Sequence, residues 1–523
     1  MVAVDPPEAS RLGRSTPDIV VYGGTAAAVM AAVAAARAGC VVTLLNPGSH
    51  LGGMTSGGLG ATDVGDPSLI GGLARDFYRR IGHHYEGERQ FRFEPHVAED
   101  ILAAFLDDAG VAVIRNSALR EVEKEGRTIR RLGLRHGSMS GRSFIDATYE
   151  GDLMHRAGVR YRIGRESTAE YGETLNGCRG EAMKHDFEIA VDPYIRAGDP
   201  RSGLLPLIQA KAPVAVGAAD DRVEAYNFRL CLTVEEKNRL PFRKPPGYDA
   251  FLYELFGRLI EARAAAGMRM RFSDFFLIVA LPNGKTDFNS WGPISTDHIG
   301  ASWSYPDGDE ERRAAIRQAH LAYTEGLFYF LATDERVPND VRLEARVWGF
   351  CRDEFQDTGG WPHQLYVREA RRMVGDAVMT QQHCQGKASV DDPVAVASFP
   401  IDTHNCQRVI RHGKPVNEGD IEVDSQPYSV GYGALLPKLE DCDNLLVPVC
   451  LSASHVAYGS LRTEPLFMQL AEAAGLASAL AVASTTSVQE IDRRSLEKEL
   501  RVAGAVLHPH GRKYSPWPHD RLR

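Results

Sequence analysis

Apolar positions near the start of the chain fall in a strand–helix–strand order. Ile19-Val20-Val21-Tyr22 is continuously apolar, as a strand buried on both faces must be. It runs into Gly23-Gly24-Thr25 and then an alanine-rich stretch, predicted as a helix over 29–38 and closed by Gly39 at its C-terminal end. A second apolar strand over 41–45 ends at Asn46. Farther on, residues 111–135 alternate apolar and polar around Glu125-Gly126, the pattern of a hairpin. A short apolar strand over 144–146 follows, then a Pro-rich loop over 240–248, and helices are predicted over 249–266, over 309–332 and after Glu490. Strands that alternate with helices at the N-terminus predict an α/β fold with a Rossmann-like parallel sheet. The sequence holds no internal repeat and no low-complexity tract.

The turn after the first strand carries the first chemistry. A strand that feeds a helix through glycines aims backbone amides and the positive end of a helix dipole at a pyrophosphate, and small side chains let the backbone come close. Gly23 keeps the first place of the Gly-x-Gly-x-x-Gly pattern, while Thr25 and Ala28 occupy the second and third. Asn46 stands where that pattern expects an acid on the ribose, and it offers a neutral donor and acceptor instead. A second glycine-dense loop, from His50 to Gly60, follows directly.

Six strings, GGMTSGGLGATD from Gly52, FEPHVAE from Phe93, DATYEGDLM from Asp146, YGETLNG from Tyr171, DTGGWPHQLYVREARRMVGD from Asp357 and NLLVPVCLSASH from Asn444, span most of the chain. With these motifs the sequence resembles the FAD-dependent oxidoreductases whose FAD domain is of the glutathione-reductase type. The resemblance implies FAD, held noncovalently, with His50 as the alternative point of covalent attachment. It implies cofactor contacts from Gly23, Gly24, Thr25, Ala26, Asn46, Leu51, Gly52, Gly53, Met54, Thr55, Ala147, Thr148 and Ser460. The segment from Asn444 to Ser460 would be a returning strand and loop that carries the flavin, and Arg462-Thr463-Glu464-Pro465 would open a helix facing it, with proline in the first turn. The FAD unit would be discontinuous, 16–165 and 431–484. An α+β substrate domain over 166–430 would be inserted between the halves, and 485–523 would form a C-terminal helix and tail.

Composition narrows the partners. A chain of 523 residues with 60 Lys+Arg against 69 Asp+Glu has a net charge of −9, which disfavours nucleic acid and anionic membranes. Residues 1–17 are polar and Pro-containing, a frayed tail rather than a signal segment, and the small-apolar run over 26–36 is too short for a membrane span. The eight cysteines show neither Cys-x-x-Cys nor zinc spacing, so reduced thiols in a cytoplasmic protein and no metal are expected. A homo-oligomer is compatible with everything in the sequence.

The remaining polar clusters suggest catalysis. His363 is a candidate base and Tyr366 a candidate phenol. Arg368 with Arg371 or Arg372 would lie on adjacent helical faces as a clamp for an anionic substrate, the alternative being an internal Glu369–Arg372 pair. Asp402 with His404, and Asp297 with His298, each set a carboxylate beside an imidazole. His455 and Tyr458 fall in the expected flavin loop. No second dinucleotide turn is present. The expected activity is therefore hydride removal from a small polar substrate, with electrons passing to oxygen or an external acceptor. The alternatives are a single-component FAD monooxygenase and a redox-inactive dinucleotide-binding protein.

Overall fold

A computed structural model describes residues 16–180, 182–211 and 214–509. Its N-terminal sheet has five parallel strands. Ile19–Tyr22 lies at the centre between Val42–Leu45 and Ser143–Asp146; Ala112–Ile114 extends one side, and Leu445–Leu446 joins the other from the far end of the chain. Ile19 and Val21 face one core, built with the helices Ala26–Arg37, Pro95–Ala109 and Glu464–Ser484, while Val20 and Tyr22 face a second core beneath the hairpin Leu119–Glu125/Thr128–Leu134. The hairpin is the one the alternation predicts, turning at Gly126 with φ of 61°.

A second sheet, antiparallel, comes from the middle of the chain. Its order is Arg239–Pro241, Gly349–Cys351, Leu230–Thr233, Lys285–Ser290, Phe276–Ala280. The predicted helices appear near their expected bounds. Asp249 caps a short helical turn leading into Glu254–Ala265, Asp309 caps Glu310–Thr333, and the last helix runs from Arg493 to Val502. The final tail and residues 1–15 lie outside the described residues.

Two segments differ from expectation. Residues 363–371 are extended rather than helical, because Tyr366 bridges to Asn227 and Arg372 to Arg162 in strand-like pairs, so no helical face presents the arginines together. The segment expected as a flavin loop is the helix His455–Leu461, started by Ser454, whose hydroxyl accepts from the Ala457 amide.

Helix Glu464–Ser484 is long and apolar enough to cross a membrane, but 83% of its apolar window is buried inside the protein. It lies directly against Ala26–Arg37, where Gly475 meets the Ala31 carbonyl so closely that an added Cβ would overlap it. Gly475→Val is therefore expected to force the two helices apart and cost about 1–3 kcal/mol, read as a lower urea midpoint with unchanged m-value.

Candidate active site

The glycine turn and the second glycine loop are pressed together: Gly52 N donates to Gly24 O at 2.7 Å, and Thr25 and Gly52 form a parallel bridge. Thr25 caps the helix Ala26–Arg37 by accepting from Ala28 N, and its hydroxyl donates to Ala147 O at 2.7 Å, tying the turn to the third strand. The amides of Ala26 and Ala27 stand ahead of the first intrahelical bond, and the first turn carries no acid to occupy them. Gly23 has φ of 142°, and a Cβ there would stand 2.7 Å from Ala147 O. This buried helix start, with room for backbone only, fits a pyrophosphate.

Asn46 turns into its own loop, donating to His50 O at 2.7 Å and accepting from Gly48 N at 2.9 Å, so it shapes the loop between the two glycine segments. Leu51 N is held by Glu99 Oε1 at 2.9 Å. Met54 N donates to Tyr149 Oη at 2.9 Å, Tyr149 Oη donates to Glu464 Oε1 at 2.7 Å, and Thr55 Oγ1 donates to Glu464 Oε2 at 2.7 Å. Gly53 sits against the Tyr149 ring. Glu464, missed as a site residue, thus joins the second glycine loop to the long C-terminal helix; its burial raises its pKa to about 7 against the lowering effect of the two hydroxyls. Thr148 bonds Asp146 Oδ1 and caps the turn at Gly151. Ser460 donates to Phe399 O at 2.5 Å.

The catalytic candidates separate into distinct places. His363 stacks on His50 with ring centroids 4.1 Å apart and planes within 6°. His50 is gripped by Glu99 at 3.1 Å and Asp357 at 2.8 Å, and these carboxylates, Glu99 first, raise its pKa to about 9. Burial, helped by the neighbouring His50 charge, lowers that of His363 to about 4, so His363 is neutral at pH 7. Tyr458 donates to Val449 O at 3.2 Å, which commits its phenol to the backbone. Arg372 spends its guanidinium on Glu166, Glu369, Gly164 O and Ala453 O. With those donors taken it is a strut between segments, and the substrate clamp assigned to it in sequence is corrected accordingly. The internal Glu369–Arg372 pair is present at 2.5 Å.

Tyr366, Arg368, His404 and His455 do come together, joined by Glu224 and Arg462, which the sequence did not mark as site residues. The Arg368 guanidinium lies 4.6 Å from the Tyr366 ring centre and that of Arg462 5.9 Å; Arg462 Nη1 donates to Tyr366 Oη at 3.2 Å. Arg368 pairs with Asp297 at 3.0 Å, and His404 Nδ1 meets the same Asp297 at 2.6 Å. Neither Asp/His pair read in sequence forms: His404 takes Asp297 in place of Asp402, and His298 Nδ1 has no hydrogen-bond partner among the described residues. Glu224 accepts from His404 N at 2.8 Å and stands 3.5 Å from Arg462. His455 Nδ1 is 2.6 Å from Glu369, and burial, which lowers its pKa, is outweighed by that carboxylate, so the net shift is upward. Glu224, Arg368, Arg462 and His455 are buried, yet Glu224 Oε1, Arg368 Nε, Arg462 Nε and His455 Nε2 have no hydrogen-bond partner among the described residues. Such atoms each cost about 1–3 kcal/mol left bare, and a bound polar molecule would satisfy them.

Ligand atoms of three groups lie within 4.8 Å of one another: His50/Glu99/His363, Glu94/His96/Glu354 and Glu224/Glu369/His455. Parallel stacking prevents the ring-plane lone pairs of His50 and His363 from converging on one ion, and Lys285, bonded to Glu94 at 2.7 Å and Glu354 at 2.6 Å, already neutralises the second group. All eight cysteines are free thiols.

A parallel sheet, a glycine turn at a buried helix start and a second glycine loop against it are the parts of a Rossmann-type nucleotide-binding fold. The chain belongs to the FAD dependent oxidoreductase family, whose model matches residues 18–500. FAD is accordingly its cofactor. No curated protein matches it. Among solved structures it is similar to a flavin monooxygenase from Stenotrophomonas maltophilia (18% identity, 25% of this chain, 38% of that chain, TM-score 0.20). Thioredoxin reductase from T. acidophilum gives 15% identity over 32% of this chain and 40% of that chain, TM-score 0.17. Glycerol-3-phosphate dehydrogenase from Bacillus halodurans, complexed with FAD, gives 9% identity over 32% and 43%, TM-score 0.25. The chain thus spans less than half the length of these three proteins.

Two outcomes are expected. Gly23→Val should give a folded but colourless protein, checked by circular dichroism and the visible spectrum; full retention of FAD would remove the turn from the cofactor site. Glu464 holds a proton in the folded state between its ordinary value of 4.5 and about 7. The stability it contributes is therefore greatest below pH 4.5 and lost as pH rises through 7, up to about 3 kcal/mol. Glu464→Gln should flatten that part of the decline in urea unfolding measured at pH 5 and pH 8.

Proposed function

We propose that the protein oxidises a small polar substrate bearing an acidic group, acting as a dehydrogenase or oxidase. The observation that carries this reading is the buried cluster at Tyr366, where two guanidiniums with unspent donors stand beside an imidazole with a bare nitrogen. Gly23, Gly24, Ala26 and the loop Gly52–Thr55 would hold FAD. Bound there, FAD supplies a two-electron acceptor for hydride from a substrate C–H bond, as the substrate forms a double bond to its oxygen or nitrogen.

The proton released from that heteroatom falls to the protein. His455 is suited to take it, because Glu369 fixes its Nδ1 and leaves Nε2 to accept. His363, neutral and stacked on His50, moves from candidate base to a wall of the second glycine loop, where its Nε2 is 3.5 Å from Ser56 Oγ. Arg368 and Arg462, both beside Tyr366, would anchor the acidic group. The electrons then leave to oxygen or an external acceptor. The division of the chain into an FAD unit of 16–165 plus 431–484, a substrate unit of 166–430 and a C-terminal 485–523 belongs to the same reading, supported by the pairing of Leu445–Leu446 with Phe144–Ile145.

Anaerobic mixing tests the proposal, since reduction of the flavin by substrate without NAD(P)H is required. His455→Ala should slow that reduction about 10²–10⁴-fold, while His363→Ala stays within about tenfold of the parent. Arg368→Ala should chiefly raise KM. The reduction rate should climb with pH through a pKa above 6.5, because the acceptor imidazole must first lose its proton.

A further inference from the structure

The same cluster carries charges of both signs, and this decides what kind of molecule completes it. The unspent donors belong to Arg368 and Arg462, while the unspent acceptor Glu224 Oε1 belongs to a carboxylate whose other oxygen is 3.5 Å from Arg462. His455 lies in the same group, one ligand atom each of Glu224, Glu369 and His455 falling within 4.8 Å of one another, and its Nε2 is bare. Two more acceptors nearby are bare: Asn227 Oδ1, beside the strand contact to Tyr366, and Asn405 Oδ1, on the segment that bonds Ala225.

We propose that the substrate is an aminocarboxylate zwitterion, its carboxylate on Arg368 and Arg462 and its ammonium on Glu224. This rests on the oxidoreductase reading above and names the substrate class for that site. An ammonium brings donors to Glu224 Oε1, while a carboxylate brings acceptors to the guanidiniums, so one molecule satisfies both sets. Charge favours the same choice. A zwitterion adds no net charge to a buried cluster whose ions are already paired, whereas a dicarboxylate would set an anion against Glu224 Oε1. A divalent cation between Glu224 and Glu369 would meet Arg462, 3.5 Å from the first, and Arg372, 2.5 Å from the second.

The test uses the FAD-loaded full chain and ligands without an oxidisable α-C–H bond, so that binding is read apart from turnover. Calorimetry would compare α-methyl amino acids of small, aliphatic and aromatic side chain with the matching 2-hydroxy-2-methyl acids and with the amines lacking the carboxylate. At least one amino acid should bind tenfold or more tighter than both its counterparts, and Glu224→Gln should erase most of the advantage over the hydroxy acid while leaving hydroxy-acid affinity within threefold. Equal or tighter binding of the hydroxy acid or the amine, or no binding by any member of the panel, overturns the assignment. Flavin bleached by a hydroxy acid in a protein that binds no amino acid would keep the oxidoreductase reading and lose the zwitterion. Tight binding of α-methyl amino acids with no flavin reduction by their α-hydrogen parents would do the reverse.

Discussion

The site depends on the buried ion pair between Arg372 and Glu369. Arg372 also grips Glu166 and two carbonyls from segments distant in sequence, Gly164 and Ala453, so one planar cation fixes three stretches of backbone at the place where His455 begins its helix. Glu369 is thereby held with one oxygen on Arg372 and the other on His455. Without its carboxylate the imidazole would be both unoriented and, under burial alone, shifted toward its neutral form. The pair is costly to desolvate, and breaking it by removing one partner would strand a charge in the interior.

The other polar contacts extend outward from this point. Glu166, lowered to about pKa 2 against its burial by Arg372, also accepts from the His455 amide, so the helix start and the ion pair share an anion. Tyr366 lies against both Arg368 and Arg462, and Arg462 reaches Glu224 at 3.5 Å. The second glycine loop is tied, through Thr55 and Tyr149, to Glu464, which follows Arg462 closely in the chain.

Features set by local chemistry were legible in the sequence. The apolar strand, the glycine turn, the caps at Asp249 and Asp309 and the hairpin at Gly126 follow from residues within one or two turns of each other. The arginines of 368–372 misled, since their spacing suits a helix and only partners far along the chain, Asn227 and Arg162, hold them extended. His363 attracted attention as a lone imidazole after a glycine turn, yet its partner is His50, brought up by folding alone. Arg462 and Glu464 were read as a helix opening and Glu224 was not read at all. An isolated acid or base carries no sign in sequence that it will be buried with an atom unpaired.

The parallel sheet closes through Leu445–Leu446, and the alanine face of Ala26–Arg37 is covered by Glu464–Ser484. Both pieces are made long after the elements they cover. At synthesis rates of about 5–20 residues per second, the first helix and an open strand edge would wait tens of seconds on the ribosome for the segments that cover them. The nucleotide turn therefore reaches its final packing only after Glu464–Ser484 has been made. Until then the alanine face and the edge of Ser143–Asp146 are uncovered, and a truncation before Leu445 would leave both bare.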